Sequence, residues 1–295
     1  MQKHSFTFQA TGTSWHITLW STDTVPTVEK KIQNFVEDFE QTYSRFRTDS
    51  FLSLLTKKTG TQEVPENFTH MLRLYERLCR ATEGAVTPLM GDVLSSAGYD
   101  RDYSFEKKKT PSVPDFLQAV HIVDDTHIDV HEPVAFDFGA LGKGHLADLV
   151  AKELRSNKAI DRFLINAGGD LYYYAHDYTP LSVGLEHPEN NTQAIGKIDL
   201  VNQALCASGA NKRRWSDTAH HIIDPLTGES VERVLASWVL ADTAAVADGL
   251  ATSLFFVSPE ALEKDFDFEW VVVERLDAMR CSQYFDGKLF SEHTS

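Results

Sequence analysis

Asp248 and Thr252 are two oxygen-bearing side chains in a stretch that is otherwise small and apolar. They lie four residues apart in an alanine-rich segment, 243–256, which we predict to be helical. Positions four apart share a helix face, and a buried carboxylate or hydroxyl needs a partner. Mg²⁺ prefers such oxygens. A helix cap or a solvated face would explain the same pair, so the spacing leaves a metal site and a structural role open.

A second candidate is the glycine-rich segment 137–144, Asp-Phe-Gly-Ala-Leu-Gly-Lys-Gly. A bare backbone between a predicted strand and a predicted helix exposes N–H groups at a helix N-terminus, which favours phosphate. Lys143 adds a positive charge. The glycine spacing is not that of a Walker A loop. A plain strand-to-helix turn is the structural alternative.

A third candidate is the histidine pair His220 and His221, followed by the turn residues Asp-Pro-Leu-Thr-Gly at 224–228. Either imidazole could take part in acid–base chemistry. Adjacent residues of a strand point to opposite faces, so at most one is expected to face a site. The glycine turn at 166–170 is a weaker signal, typical of a phosphate-approach loop or of a tight turn.

Helices and strands must position these residues. Apolar alternation on either side of 11–13 predicts two strands. Helical spacing predicts helices at 25–43 and 65–82, and a third after Lys143. Further strands are predicted near 121–130, 163–166, 171–174, 181–185, 194–200 and 204–208, and a terminal strand pair with a hairpin turn at Asp286-Gly287. The segment 100–114 is predicted to be a surface excursion.

The mixed order of helices and strands is not the regular alternation of a doubly wound fold. It predicts an α+β class and a single compact domain over 1–295, with two lobes as a variant. Apolar residues make up 42% and charged residues 24% of the 295 residues, a balance typical of a globular protein.

The net charge is −15. Because phosphate backbones are bound by clustered Lys and Arg, this charge argues against nucleic acid as a partner. The sequence has neither a secretory signal nor an 18-residue apolar run that would predict a transmembrane segment. We therefore expect a cytoplasmic location, or an extracytoplasmic one if a leader was removed.

The segments, read in order, resemble the ApbE family, the FAD:protein FMN transferases. Thr11-Gly12-Thr13 resembles the family's Met-Gly-Thr, and Asn166–Asp170 matches Asn-x-Gly-Gly-Asp. The other matching segments are 44–50, 84–88, 137–144, 208–209, 221–228 and 247–252. The resemblance spans most of the chain, and its specificity comes from the order of the motifs rather than from any one of them.

The resemblance implies an ApbE-like fold and an enzyme that uses Mg²⁺ and FAD. Such an enzyme transfers the FMN moiety of FAD to a Ser or Thr of an acceptor protein and releases AMP. The resemblance implies metal ligation by Asp248, Thr252 and the Ala140 carbonyl, and a catalytic base at His221, with Asp248 also catalytic. The implied FAD contacts are Thr11, Phe46, Ala85, Val86, Thr87, Asp137, Lys143 and Ile223.

Two positions depart from the family pattern: Thr11 replaces Met, and Thr87 stands where Asp is common. The Thr87 difference bears on flavin binding and on the choice of acceptor. Two alternatives use the same site. One is a Mg²⁺-dependent FAD pyrophosphatase that yields FMN and AMP, and the other is a non-catalytic FAD-binding protein.

Overall fold

The fold is taken from a computed structural model. It describes residues 2–22, 26–106, 108–210, 220, 222–274 and 278–290.

The described residues form strands and helices in a mixed order. The strands are β1 (Gln2–Ala10), β2 (Thr13–Ser21), β3 (Gly60–Glu63), β4 (Val120–Ile122), β5 (His127–Val130), β6 (Ile160–Ala167), β7 (Asp170–Ala175), β8 (Leu181–His187), β9 (Asn190–Leu200), β10 (Ala204–Gly209), β11 (Val234–Ala241), β12 (Glu269–Glu274), β13 (Met279–Cys281) and β14 (Lys288–Leu289). The helices are α1 (Pro26–Tyr43), α2 (Phe51–Leu55), α3 (Glu66–Ala81), α4 (Gly91–Ser96), α5 (Phe116–Ala119), α6 (Gly142–Ser156), α7 (Ala244–Ser253) and α8 (Pro259–Leu262).

The centre of the fold is an eight-stranded antiparallel sheet in the order β1-β2-β6-β7-β10-β11-β12-β13. Successive residues of each strand face opposite sides. In β10, Cys206 therefore belongs to the core that includes α6 and α7, whereas Leu205 belongs to a second core. That second core lies between the sheet and a small sheet of order β14-β9-β8. A third sheet has the order β3-β5-β4.

Sequence periodicity explains the longer helices. In α3, the buried residues Met71, Leu72, Tyr75, Leu78 and Cys79 recur at the helical spacing that the sequence predicts. Gly84 has φ of +90° just beyond the helix, and its N–H donates to the carbonyl of Cys79 over 2.8 Å. Glu83, with φ of 52°, is the left-handed residue at this helix end, and the Gly84 hydrogen bond completes a Schellman ending.

The observed elements confirm the predicted α+β class, while the extent of the domain over 1–295 stays a prediction. The turn between β1 and β2 falls where alternation placed it, with φ of 49° at Thr11 and 71° at Gly12. One prediction is wrong: the chain end is not a strand pair hinged at Asp286-Gly287. The turn lies at 283–284, and β14, which begins after Gly287, pairs with β9, while β12 pairs with β13. Within the described residues, no helix combines the length and apolarity needed to cross a membrane.

Candidate functional site

One large cleft, of about 740 Å³, opens where the β1–β2 turn, the β6–β7 turn and the start of α6 come together. The two turns close one end of the central sheet, so polar loop residues from distant parts of the chain meet there. Every predicted site residue that the structure describes lines this cleft: Thr11, Phe46, Ala85, Val86, Thr87, Asp137, Ala140, Lys143, Ile223, Asp248 and Thr252. The roles implied for these residues remain predictions.

At the floor of the cleft, Lys143 lies between two buried carboxylates. Its Nζ is 3.1 Å from both carboxylate oxygens of Asp248 and 3.0 Å from Oδ2 of Asp170. Both aspartates are about 2% exposed. Two backbone groups also donate to them: Gly144 N–H to Asp248 over 3.0 Å, and Ala207 N–H to Asp170 over 3.2 Å. If both carboxylates are ionised, the trio carries a net negative charge in a poorly solvated place.

Burial dominates the electrostatics of Asp248. Desolvation, with a smaller contribution from the neighbouring Asp170 charge, raises the pKa of its carboxyl from 3.8 to about 7 against the opposing attraction of Lys143. A nearby cation strongly stabilises the ionised form of such a buried carboxyl, because the cation offsets the hydration lost on burial. Such a shift next to a specific charge partner in a cleft is typical of functional sites.

The close packing of α6 against α7 places Lys143 beside Asp248. A Cβ on Gly144 would lie 2.1 Å from the carbonyl oxygen of Ala244, so only glycine allows the two backbones to approach this closely. One turn further along α6, the Asp148 carboxylate accepts N–H groups from Ala244 (2.7 Å) and Ala245 (2.9 Å) at the start of α7. Burial raises the pKa of Asp148 to about 6 despite these hydrogen bonds.

A second ion pair forms the other wall of the cleft. Arg45 Nε donates to Oδ2 of Asp137 over 2.6 Å, and its Nη2 donates to the carbonyl of Tyr99 over 2.7 Å. The other Asp137 oxygen accepts the Gly139 N–H over 2.8 Å, which fixes the start of the glycine-rich segment. Arg45 lies in the matching segment 44–50, but the sequence predicted no role for it.

The turn at Thr11 is tied to α1. The Thr11 N–H donates to Glu40 Oε1 over 2.8 Å, and the indole N–H of Trp15 donates to Thr11 Oγ1 over 3.2 Å. On the opposite side, Thr252 Oγ1 lies 3.4 Å from the Ser208 hydroxyl. The cleft thus presents hydroxyl, carboxylate, ammonium and backbone groups toward one space.

Of the two adjacent histidines, His220 is among the described residues and can be placed. His220 is 4% exposed, and its ring nitrogen Nε2 lies 3.0 Å from the Val231 carbonyl. The backbone N–H of His220 also donates to Ser230 Oγ over 2.8 Å, so His220 anchors both sides of the turn that follows. His221, the predicted base, lies outside the described residues, while Ile223 bridges to Ser230 and lines the cleft.

Sequence reasoning assigned no role to several residues of the cleft. Asp170 was visible in the Asn-x-Gly-Gly-Asp motif, but nothing in the sequence shows that it meets Lys143. Tyr103 lies in the segment 100–114, which was predicted only as a surface excursion, and Tyr99 directly precedes it. Both residues line the cleft. Their aromatic character on an otherwise charged loop was the available signal.

Comparisons with known proteins give a consistent result. The model of the ApbE family matches residues 11–267. A protein of Haemophilus influenzae named FAD:protein FMN transferase is 27% identical over 280 residues, which cover 85% of this chain and 80% of that protein. The protein of the same name from Escherichia coli is 25% identical, covering 84% and 77% of the two chains.

Solved structures share the fold. The ApbE protein from Thermotoga maritima superposes with a TM-score of 0.84 at 23% identity, covering 97% of this chain and 99% of that one. A mutant of the flavin transferase ApbE from Vibrio cholerae gives a TM-score of 0.80 at 20% identity, again covering 97% and 99%. At these identities the superpositions establish the fold.

Proposed function

The chain belongs to the ApbE family, and we propose on that premise that it is an FAD:protein FMN transferase. It moves the FMN moiety of FAD to a Ser or Thr hydroxyl of an acceptor protein and releases AMP, with Mg²⁺ as the metal. The observation that carries the proposal is the buried trio of Asp170, Lys143 and Asp248 inside the cleft that the family's motifs line. A large cleft with convergent polar groups is the usual setting of a small-molecule site.

The proposed reaction exchanges one P–O bond for another. The acceptor hydroxyl oxygen forms a bond to the phosphorus of the FMN phosphate, and the anhydride bond to the AMP phosphate breaks. AMP leaves with that bond's electron pair, and the hydroxyl proton passes to a base, for which we propose His221. Catalysis of such transfers rests mainly on positioning and on electrostatic stabilisation.

The donor set fits a small divalent cation. Within the described part of the chain, no group of three or more His, Cys, Asp or Glu side chains is arranged to hold a metal. The family resemblance implies that a metal in the cleft would be held by the Asp248 carboxylate, the Thr252 hydroxyl and the Ala140 carbonyl, all of which line it. These are all oxygen donors, and Mg²⁺ completes such sparse sites with water and phosphate. When bound, Mg²⁺ neutralises phosphate charge and stabilises the charge that develops during transfer.

The chain's own residues do the remaining work. Lys143 holds an ammonium group at the floor of the cleft, where it attracts the pyrophosphate of FAD. Asp170 and Asp248 orient that ammonium, and the Arg45–Asp137 pair keeps the glycine-rich segment in place. A bound Mg²⁺ would offset the negative charge of the trio, so that a chain with a net charge of −15 could bind an anionic dinucleotide.

Mass spectrometry of an acceptor protein tests the proposal. The purified protein is incubated with FAD, Mg²⁺ and an acceptor that carries a flavinylation Ser or Thr. We expect one FMN on the acceptor, lost without Mg²⁺ and in Asp248→Ala. Free FMN and AMP with an unmodified acceptor would indicate the pyrophosphatase, and intact FAD would indicate a binding protein.

A further inference from the structure

Four aromatic residues from two loops form a layered cluster at the cleft: Phe46, Tyr99, Tyr103 and Phe105. The rings of Phe46 and Tyr103 are parallel to within 5°, with centroids 5.4 Å apart. Tyr99 meets both rings edge-on, at 5.5 Å from Phe46 and 5.6 Å from Tyr103. Phe105 lies 6.2 Å beyond Tyr103. Parallel and edge-on contacts at these distances are the favourable geometries of aromatic groups.

The two stacked rings differ in how firmly they are held. The Arg45 guanidinium lies 4.2 Å from the centre of the Phe46 ring, and its ion pair with Asp137 fixes it there. Arg101 donates to the Phe46 carbonyl over 2.7 Å, which secures the backbone as well. Tyr103, by contrast, is 45% exposed.

The backbone around Tyr103 is strained. Tyr103 has φ of 49° and Phe105 has φ of 52°, both in the left-handed region that favours glycine. Non-glycine residues keep such conformations where the surroundings impose them, often at ligand-binding segments. Because Arg45 holds the Phe46 ring and the Tyr103 side chain is the exposed member of the pair, the Tyr103 side chain is the one that another planar group would displace.

We propose that Tyr103 is a positioning residue for the flavin ring of FAD, which stacks between Phe46 and Tyr103. The inference rests on the proposed function, which supplies FAD as the ligand. A planar ring between them requires a separation of about 7 Å, two contact distances of about 3.5 Å. The isoalloxazine is larger and more electron-poor than adenine, so stacking between two aromatic rings favours the flavin over the adenine. Phe46 also lies where the family resemblance implies an FAD contact.

Ligand titrations with four proteins test this assignment: the unaltered chain, Tyr103→Leu, Tyr103→Phe and Tyr178→Leu. Tyr178 is a matched control, since it is 68% exposed and also has a left-handed φ, of 57°. Dissociation constants for FAD are measured by quenching of flavin fluorescence, and those for ADP by calorimetry. ADP carries the adenine but no flavin. Thermal unfolding of each variant establishes that it folds.

We expect Tyr103→Leu to weaken FAD binding by about fivefold or more, the size typical of a lost stacking partner. ADP binding should stay unchanged, and Tyr103→Phe and Tyr178→Leu should bind FAD as the unaltered chain does. Unchanged FAD binding in Tyr103→Leu, or an equal loss for FAD and ADP, would overturn the inference. These titrations measure binding and not transfer. A protein that shows this binding pattern but modifies no acceptor in the mass-spectrometric assay would therefore refute the proposed function alone. If the unaltered chain does not bind FAD, both fail.

Discussion

Replacing Asp248 with asparagine should stabilise the fold while abolishing transfer. The carboxylate is 2% exposed, and its charge is poorly compensated because Lys143 is shared with Asp170. Asparagine has nearly the same shape and removes that charge. Lys143 then keeps Asp170 as its partner, so the substitution leaves no unpaired buried cation, which is the usual reason why breaking a buried ion pair is costly.

The pH dependence of this effect follows from the raised pKa. Asp248 ionises with a pKa of about 7 in the folded chain, against 3.8 for an unperturbed group. Between these values the folded state binds more protons than the unfolded state, so its stability falls as pH rises through the window. The shift corresponds to about 4 kcal/mol, which is an upper bound for the gain from asparagine. This shift already includes the attraction of Lys143. Since asparagine replaces one of the two oxygens that accept from Lys143 by an NH₂ group, we expect about 1–3 kcal/mol at about pH 8, and almost none near pH 4.

Urea unfolding at these two pH values measures the effect, with a chelator present so that bound metal does not stabilise the unaltered chain. Asp242→Asn is the control, because this exposed carboxylate also lies near the start of α7. A gain at the higher pH that disappears at the lower pH supports the account. Equal destabilisation of Asp248→Asn at both pH values would refute it, since burial of the charge would then not be the cost we infer.

Three further predictions concern neighbouring positions. Gly144→Ala should destabilise the fold by about 1–3 kcal/mol in urea unfolding, because the added methyl meets the backbone of α7. Gly142→Ala is the control, since the nearest atom to its Cβ lies 3.4 Å away. Equal effects of the two substitutions would contradict the helix packing. Asp170→Asn should raise the Mg²⁺ concentration for half-maximal AMP release, since Lys143 then competes more strongly for the metal's carboxylate; an unchanged titration would count against this. His221→Asn should bind FAD normally but lose transfer in single-turnover assays, and full transfer would remove it as the base.

Local patterns predicted the parts of the site that lie within one element. Asp248 and Thr252 share a face of α7 because their spacing matches the helical period, and Lys143 follows a glycine-rich turn that begins α6. The convergence of Asp170 on Lys143 depends on how β6 and β7 pair, which no local pattern contains. Tyr103 was missed because its loop has no periodicity.

The error at the chain end has a similar cause. The sequence predicted a turn at Asp286-Gly287, but the turn lies at 283–284 and Gly287 is only a bend before β14. A turn signal also does not specify which strand the next segment joins. Gly196 explains the observed pairing: a Cβ there would lie 2.8 Å from the Lys288 carbonyl oxygen, so a glycine in β9 admits β14 at close range. Such pairing preferences depend on tertiary contacts rather than on propensity.

The most direct test of the central claim is the mass of an acceptor protein after incubation with the chain, FAD and Mg²⁺, with AMP measured in the same sample. We expect one FMN attached to an acceptor Ser or Thr for each AMP released, and neither product with Asp248→Ala. AMP released without a modified acceptor, or transfer that persists in Asp248→Ala, would contradict this claim.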